Sequence, residues 1–446
     1  MAPEDLENLK QSSSQYDYLR FTCVDMSGSA RGETVPKRHM GRFLQDGISL
    51  FAGTGVFGPL SEIPTLEEIT ETGFGNGVIL PESKLAHPVP WAGHGKYKVG
   101  EVLCEMHWND GSYQEAGPRT VARKQLQRLS DQGFALKSAF EMEFMLEHSK
   151  SGEPVWEGVD AFSHKIVAQQ EEILFQIDHQ LLESGVSIEK IQSEYSPGQY
   201  EMSLNAEFGI KAADDSFIFK HGVKEIAAQK EMLANFMTVP RFGYCGNAAH
   251  FNHSLWTADL KQSAFFDASK ENNLSEVAGW WLGGLCKHAP AITVLCSPTV
   301  NCFRRLHGLW VPDRANWGVE NRQSAFRVKN QSASGCLVEN RIASGTCNPY
   351  LVLAGVVAAG LDGIKNKIPC PKEFDGEAPE LPYTLQEAVE CLEKDKAMVE
   401  ALGPEFIKWF VECKKQIDLK KLEKSDPKVN DSEMLEAERK MYSLYI

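Results

Sequence analysis

Strict alternation marks the run Ser138 to Glu147, in which Phe140, Met142, Phe144 and Leu146 fall on one face and Glu141 and Glu143 on the other. A strand so apolar on one face lies on a core, and its two carboxylates then point the same way, about 7 Å apart. Gly198 to Asn205 repeats the pattern, setting Tyr200, Met202 and Leu204 against Glu201 and Ser203, with Glu194 just upstream of the turn residues Ser196, Pro197 and Gly198. One such pair alone also describes the solvated face of an edge strand. Downstream, however, the chain supplies His250 within Gly246–Ser254 and Glu339 within Leu337–Arg341. Desolvated, unpaired carboxylates are costly, so a face carrying this many needs counter-charge. A divalent cation provides it, and magnesium or manganese suits oxygen ligands joined by an imidazole. With the arginines that follow, the set has the composition of a phosphoryl-transfer site, where positioning and charge neutralisation do most of the catalysis.

The remaining periodicities predict an α+β chain rather than a doubly wound one. Residues 1–15 read as a mobile arm. A small mixed domain over 16–110 follows, with strands at Leu19–Asp25, Gly32–Pro36, Gly77–Leu80 and Lys98–Met106, and a short helix from Met40 to Gly47. A second domain over 111–446 opens with a helix at Pro118 and carries further helices at about 168–184, 216–237 and 275–289. Asn348-Pro349-Tyr350-Leu351 starts a helix rich in Ala and Gly, and the tail from Tyr383 to Tyr442 is helical with a break at Gly403-Pro404. Gly73-Phe74-Gly75-Asn76-Gly77 leads into no helix with Lys-Ser or Lys-Thr, so it fails as a phosphate loop.

Charge narrows the class. With 46 basic and 61 acidic residues the net charge is −15, which argues against a general nucleic-acid or membrane-surface role. No stretch reaches the roughly 18 apolar residues of a membrane span, and the acidic N-terminus lacks a secretory h-region. The eleven cysteines form no Cys-x-x-Cys pair, so they read as reduced thiols in a cytoplasmic protein.

Taken in order, the motifs resemble the glutamine synthetase family, type I in length and layout. Glu141 and Glu143 match its first metal motif, Glu194 with Ser196-Pro197-Gly198-Gln199-Tyr200-Glu201 its second, His250 with Ser254 its histidine loop, and Glu339 with Arg341 its last. Asn348-Pro349-Tyr350-Leu351 with Ala358-Ala359-Gly360-Leu361-Asp362-Gly363 matches its C-terminal signature. The resemblance implies a small N-terminal β-grasp domain, a catalytic domain with a curved antiparallel sheet, and ring-shaped homo-oligomers, usually two stacked hexamers forming a dodecamer. It implies magnesium or manganese as cofactor and ATP and glutamate as substrates. Glu143, Glu194 and Glu201 would hold the cation near glutamate, and Glu141, His250 and Glu339 the one bridging ATP phosphates. Arg305, Arg322, Arg327 and Arg341 would grip the substrate carboxylate and transferred phosphoryl group, with Gly246, Asn252 and Ser254 also on the substrate and nucleotide side.

The chain also departs from that pattern. The family's small-domain Phe-Asp-Gly-Ser, whose aspartate helps bind ammonium, is here Phe51-Ala52-Gly53-Thr54; the flap glutamate is lost at Trp310-Val311-Pro312. Cys245 replaces the asparagine before Gly246, Asn252 replaces the second histidine, and Ser334–Leu337 stands where basic residues are expected. Metal residues are kept and ammonium residues are not. Within the family these changes resemble the lengsin group. Two readings follow: a protein that binds cation and ATP with glutamate–ammonia ligase activity weak or lost, for which the lengsin resemblance implies a structural protein partner, or an active glutamate–amine ligase whose acceptor is ammonia or a larger amine in a pocket around Ala52 and Val311.

Overall fold

The structure is a computed structural model and describes residues 2–308 and 310–445. Two sheets organise it. The smaller has six strands in the order Ala30–Pro36, Tyr18–Val24, Val99–His107, Asn76–Pro81, Ile48–Phe51, with His87–Pro88 paired to Val99–His107. Tyr18–Val24 and Val99–His107 run parallel, and the other pairs are antiparallel. Its own core gathers Leu19, Phe21, Val35, Leu44, Ile48, Ile79 and Val102.

The expected mobile arm is instead a helix, Pro3–Ser13, docked on that core. Leu9 is completely buried there, and Leu6 packs alongside. The local chemistry suits a helix: Pro3 opens it, Glu4 and Asp5 sit at the positive end and Lys10 at the negative end. Ser12 Oγ accepts the Ala86 N–H at 3.1 Å, tying the helix to the domain.

The larger sheet has nine strands, in the order Trp317–Val319, Phe326–Lys329, Leu337–Asn340, Ala249–Thr257, Phe134–His148, Gln199–Leu204, Ile188–Ser193; Glu207–Phe208 and Met232–Asn235 also pair with Phe134–His148. All its pairs are antiparallel except Trp317–Val319 with Phe326–Lys329. One face is the core: Phe140, Met142, Phe144, Tyr200, Met202, Phe251 and Leu255 are fully buried. Behind it the helices Glu276–Cys296 and Pro349–Asn366 pack so closely that a Cβ on Gly363 would lie 2.1 Å from the Trp280 carbonyl oxygen, which is why small residues recur there. The helix expected over 216–237 runs instead from Lys211 to Gln229, and Met232–Asn235 forms a strand. The break is at Glu231, whose φ of 54° cannot continue a helix.

Arg119 fastens the two parts, donating to Glu105 of the small sheet at 2.7 Å and to Asp214 at 2.9 and 3.0 Å. Among the described residues no helix is long and apolar enough to cross a membrane.

Candidate active site

Register puts the polar residues together. Across the antiparallel ladders His250 lies opposite Glu141, Glu143 opposite Glu201, and Glu339 opposite both Asn252 and Arg327. Because side chains alternate, every one of these points away from the core face occupied by Phe140, Met142 and Phe251. The next histidine shows the rule: His253 faces the core, where its Nε2 accepts from Trp281 Nε1 at 3.0 Å.

Two overlapping groups result, Glu141–His250–Glu339 and Glu143–Glu201–His250, each with one ligand atom per residue within 4.8 Å of the others. His250 Nδ1 is 3.5 Å from Glu141 and 3.6 Å from Glu339, while its Nε2 accepts from Arg305 Nη2 at 3.4 Å. Glu194 lines the same cavity but belongs to neither group; its Oε1 accepts from Gln192 at 2.7 Å. Arg327 reaches Glu339 at 3.0 Å and also pairs with Glu320, and Arg341 pairs with Glu339. Arg305 is buried, and among the described residues its Nη1 has no hydrogen-bond partner. Gly246 lines the cavity, where a Cβ would come within 3.0 Å of Arg305 Cδ. Arg322 is exposed and contributes only its carbonyl, to Arg341 Nε at 3.0 Å. Asn252 Oδ1 is buried without a partner among the described residues, and Ser254 Oγ accepts from Trp256 Nε1 at 3.0 Å. Ala52 is fully buried in the small domain and is not among the residues lining the cavity, whereas Val311 is.

The electrostatics are those of a face short of positive charge. Burial, together with Glu141, Glu143 and Glu194, pushes Glu201 up to about 9. Burial and Glu194 push Glu143 up to about 7, although the Ala248 N–H donates to it at 2.8 Å. Burial likewise disfavours charge on Glu141 and Glu339, but there His250 and, respectively, Lys329 and Arg341 outweigh it and both are held below the usual carboxylate range. Burial, with Arg341, drops His250 to about 4, so at neutral pH the ring is uncharged, as a metal ligand requires. The donor set, carboxylates plus one neutral imidazole with unsatisfied charge, fits magnesium or manganese. Among the described residues the orphaned N–H groups of Arg305 and Arg327 beside it fit an anionic ligand, whereas the orphaned amide oxygens of Asn252 and Gln199 fit a donor.

Lys329 and Gln199 were not among the residues singled out from the sequence. Lys329 lies 3.6 Å from Glu339 and 4.0 Å from Glu141; Gln199 donates to Glu143 at 3.2 Å and to Asn247 at 2.9 Å. Alternation from Arg327 would have found Lys329.

Sheet, carboxylate face and arginines together define a glutamine-synthetase-type catalytic domain, and residues 115–434 match the family description "Glutamine synthetase, catalytic domain". The chain belongs to the glutamine synthetase family. It is 30% identical over 437 residues to lengsin from Homo sapiens, covering 92% of this chain and 82% of lengsin. It is 29% identical over 424 residues to a glutamate–isopropylamine ligase from a Pseudomonas species, covering 89% and 90%. Its backbone matches a solved GmaS–ADP complex with a TM-score of 0.80 at 25% identity, covering 92% of this chain and 95% of that one.

Proposed function

We propose that this protein binds divalent cations and ATP and retains the half-reaction that phosphorylates the γ-carboxylate of glutamate, while the half that accepts ammonia is weak or lost. What supports this reading is the buried carboxylate face: Glu143 and Glu201 are nearly closed to solvent and repel one another, a state that costs stability unless a cation occupies it. When bound, the cations would neutralise phosphate charge and hold the transferring group in line. Arg305, with one buried nitrogen free, is placed to take a carboxylate or phosphoryl oxygen. Arg341 and Arg327, paired with Glu339 in the absence of ligand, can turn to the transferred group once that carboxylate is occupied by cation. Arg322, being exposed, would act only after the loop it sits on closes. Val311 and Cys245 offer neither the anion nor the amide that an ammonia-handling pocket would use. We carry ring assembly from neighbouring copies as part of this proposal, with mass measurement at micromolar concentration as its check.

A second reading, a non-catalytic member like the lengsin group, is favoured by the same losses and by the similarity to lengsin. ADP release from ATP and glutamate, with hydroxylamine or ammonia as acceptor, separates the two. Hydroxamate formation with little glutamine is the expected result; robust glutamine formation contradicts the lost ammonia half, and no ADP from any acceptor favours the second reading.

A further inference from the structure

Two aromatic rings with much of their surface in solvent, Tyr195 and Trp310, line the active-site cavity, and a third, Phe162, packs on Tyr195. Phe162, Tyr195 and Trp310 are 61%, 40% and 49% exposed, yet they contact one another edge to face. Phe162 and Tyr195 centroids are 6.1 Å apart at 88°, Tyr195 and Trp310 centroids 5.5 Å apart at 61°. Rings of this size usually bury, and a contiguous exposed apolar patch beside a polar cavity is the signature of a binding surface.

The backbone holds two of them in place at a cost. Phe162 and Trp310 have φ of 58° and 60°, a region bulky side chains avoid. Both are tied to the site: the Phe162 N–H donates to the Ser193 carbonyl at 2.9 Å, one residue before Glu194, and the Trp310 carbonyl accepts from Arg341 Nη2 at 3.3 Å. The cavity, about 280 Å³, is lined by the apolar Tyr195, Tyr244, Trp310 and Val311, by the carboxylates Glu143 and Glu194, and by Arg304, Arg305 and Arg341; Arg304 is paired with Glu438 and Arg341 with Glu339. Glu194, outside both ligand groups, is the carboxylate nearest in sequence to the aromatic wall. A carboxylate and π-faces lining one cavity suit an organic cation with a flat body, while Arg305 suits the anionic co-substrate.

Resting on the proposed function, we infer that the acceptor is an aryl-alkyl primary amine, its ammonium end at Glu194 and its ring against Trp310 and Tyr195. The step balances without a further reagent. The ammonium loses one proton to solvent; its nitrogen lone pair forms the C–N bond to the γ-carbonyl carbon of the glutamyl phosphate; the C–O bond to phosphate breaks; the second nitrogen proton leaves with the departing phosphate. Glu194 contributes charge, and the rings contribute specificity.

The test uses the full chain with ATP, glutamate and magnesium or manganese, and benzylamine, isopropylamine, methylamine, ammonia and hydroxylamine as acceptors. Benzylamine is expected to give the highest kcat/KM of the carbon amines and to exceed ammonia. Trp310→Ala is expected to raise the KM for benzylamine about 3- to 10-fold more than that for hydroxylamine, and Trp310→Phe to restore most of it. Equal losses for all acceptors, or a wild type that prefers methylamine or ammonia, overturn the inference while leaving the ligase reading intact. Absence of ADP release and of any γ-glutamyl product with every acceptor overturns the ligase reading instead; saturation-transfer NMR of benzylamine on the ATP-loaded chain then decides the site, since Trp310-dependent binding supports it and no binding refutes it. If Trp310→Ala lowers the assembly mass, the rings are covered by a second copy of the chain and the inference fails.

Discussion

Replacing Glu201 by Gln removes one charge from the most crowded part of the carboxylate face and should stabilise the cation-free protein. Burial and three neighbouring carboxylates raise Glu201 from its ordinary value of 4.5 to about 9. For an acid whose folded value lies above its unfolded one, the folded state is penalised as pH rises past the unfolded value, and the penalty grows until the folded value is reached. The window is therefore pH 4.5 to about 9. At pH 7 the gap above the unfolded value corresponds to about 3 kcal/mol. For a chain of 446 residues each kcal/mol moves the melting midpoint by roughly 1 °C, so the expected gain for Glu201→Gln in chelator is about 3 °C. A saturating cation narrows the gap: at a hundred times its Kd it adds about 2.7 kcal/mol to the wild type, and much less to a variant that lacks a ligand. Thermal melts in chelator and in manganese, at pH 7.5 and pH 5, measure all of this. The variant should melt higher than wild type in chelator at the upper pH, the difference should shrink at the lower pH, and manganese should close or reverse it. A variant that melts lower than wild type in chelator, or that gains as much from manganese, would falsify the account of the carboxylate face.

Leu9→Ala should cost about 2 to 5 kcal/mol, because the side chain is wholly enclosed between the N-terminal helix and the small sheet; denaturant unfolding reads the loss, and limited proteolysis should cut first near residue 14. His288 is buried between Asp395 at 2.5 Å and Asp362 at 2.8 Å; burial opposes its charge, but the two carboxylates raise it above 6.5. Its contribution is then full below pH 6.5 and is lost as pH rises through the raised value, so wild type should lose stability over that window relative to His288→Gln. Melting midpoints of the two proteins that run parallel across the window would rule this out.

The polar face was legible because a two-residue period survives any uncertainty about pairing partners: Glu141, Glu143 and Glu201 share a side whatever strand lies next to them. Which ligand atoms come within reach of each other was not legible, since that depends on register, and Glu194, just past the end of the strand Ile188–Ser193, falls outside the two groups. The N-terminal helix was missed because its two anchoring leucines, Leu6 and Leu9, give too weak a periodicity to distinguish it from a solvated arm. The end of the helix after Lys211 was misplaced because its apolar pattern runs on into the strand at Met232, and the reversal falls on Glu231, a residue type with no preference for positive φ. The aromatic mouth lay beyond periodicity altogether: Phe162, Tyr195 and Trp310 come from three separate loops, and loops carry no repeat from which their meeting could be read.

The most direct test of the retained half-reaction is positional isotope exchange in ATP labelled at the β–γ bridging oxygen, run without any amine. Reversible formation of glutamyl phosphate frees the β-phosphate of ADP to rotate, so the label should scramble when glutamate and magnesium or manganese are both present and stay fixed when either is left out. A protein that binds ATP and glutamate yet leaves the label in place would contradict the claim that this face still transfers phosphoryl groups.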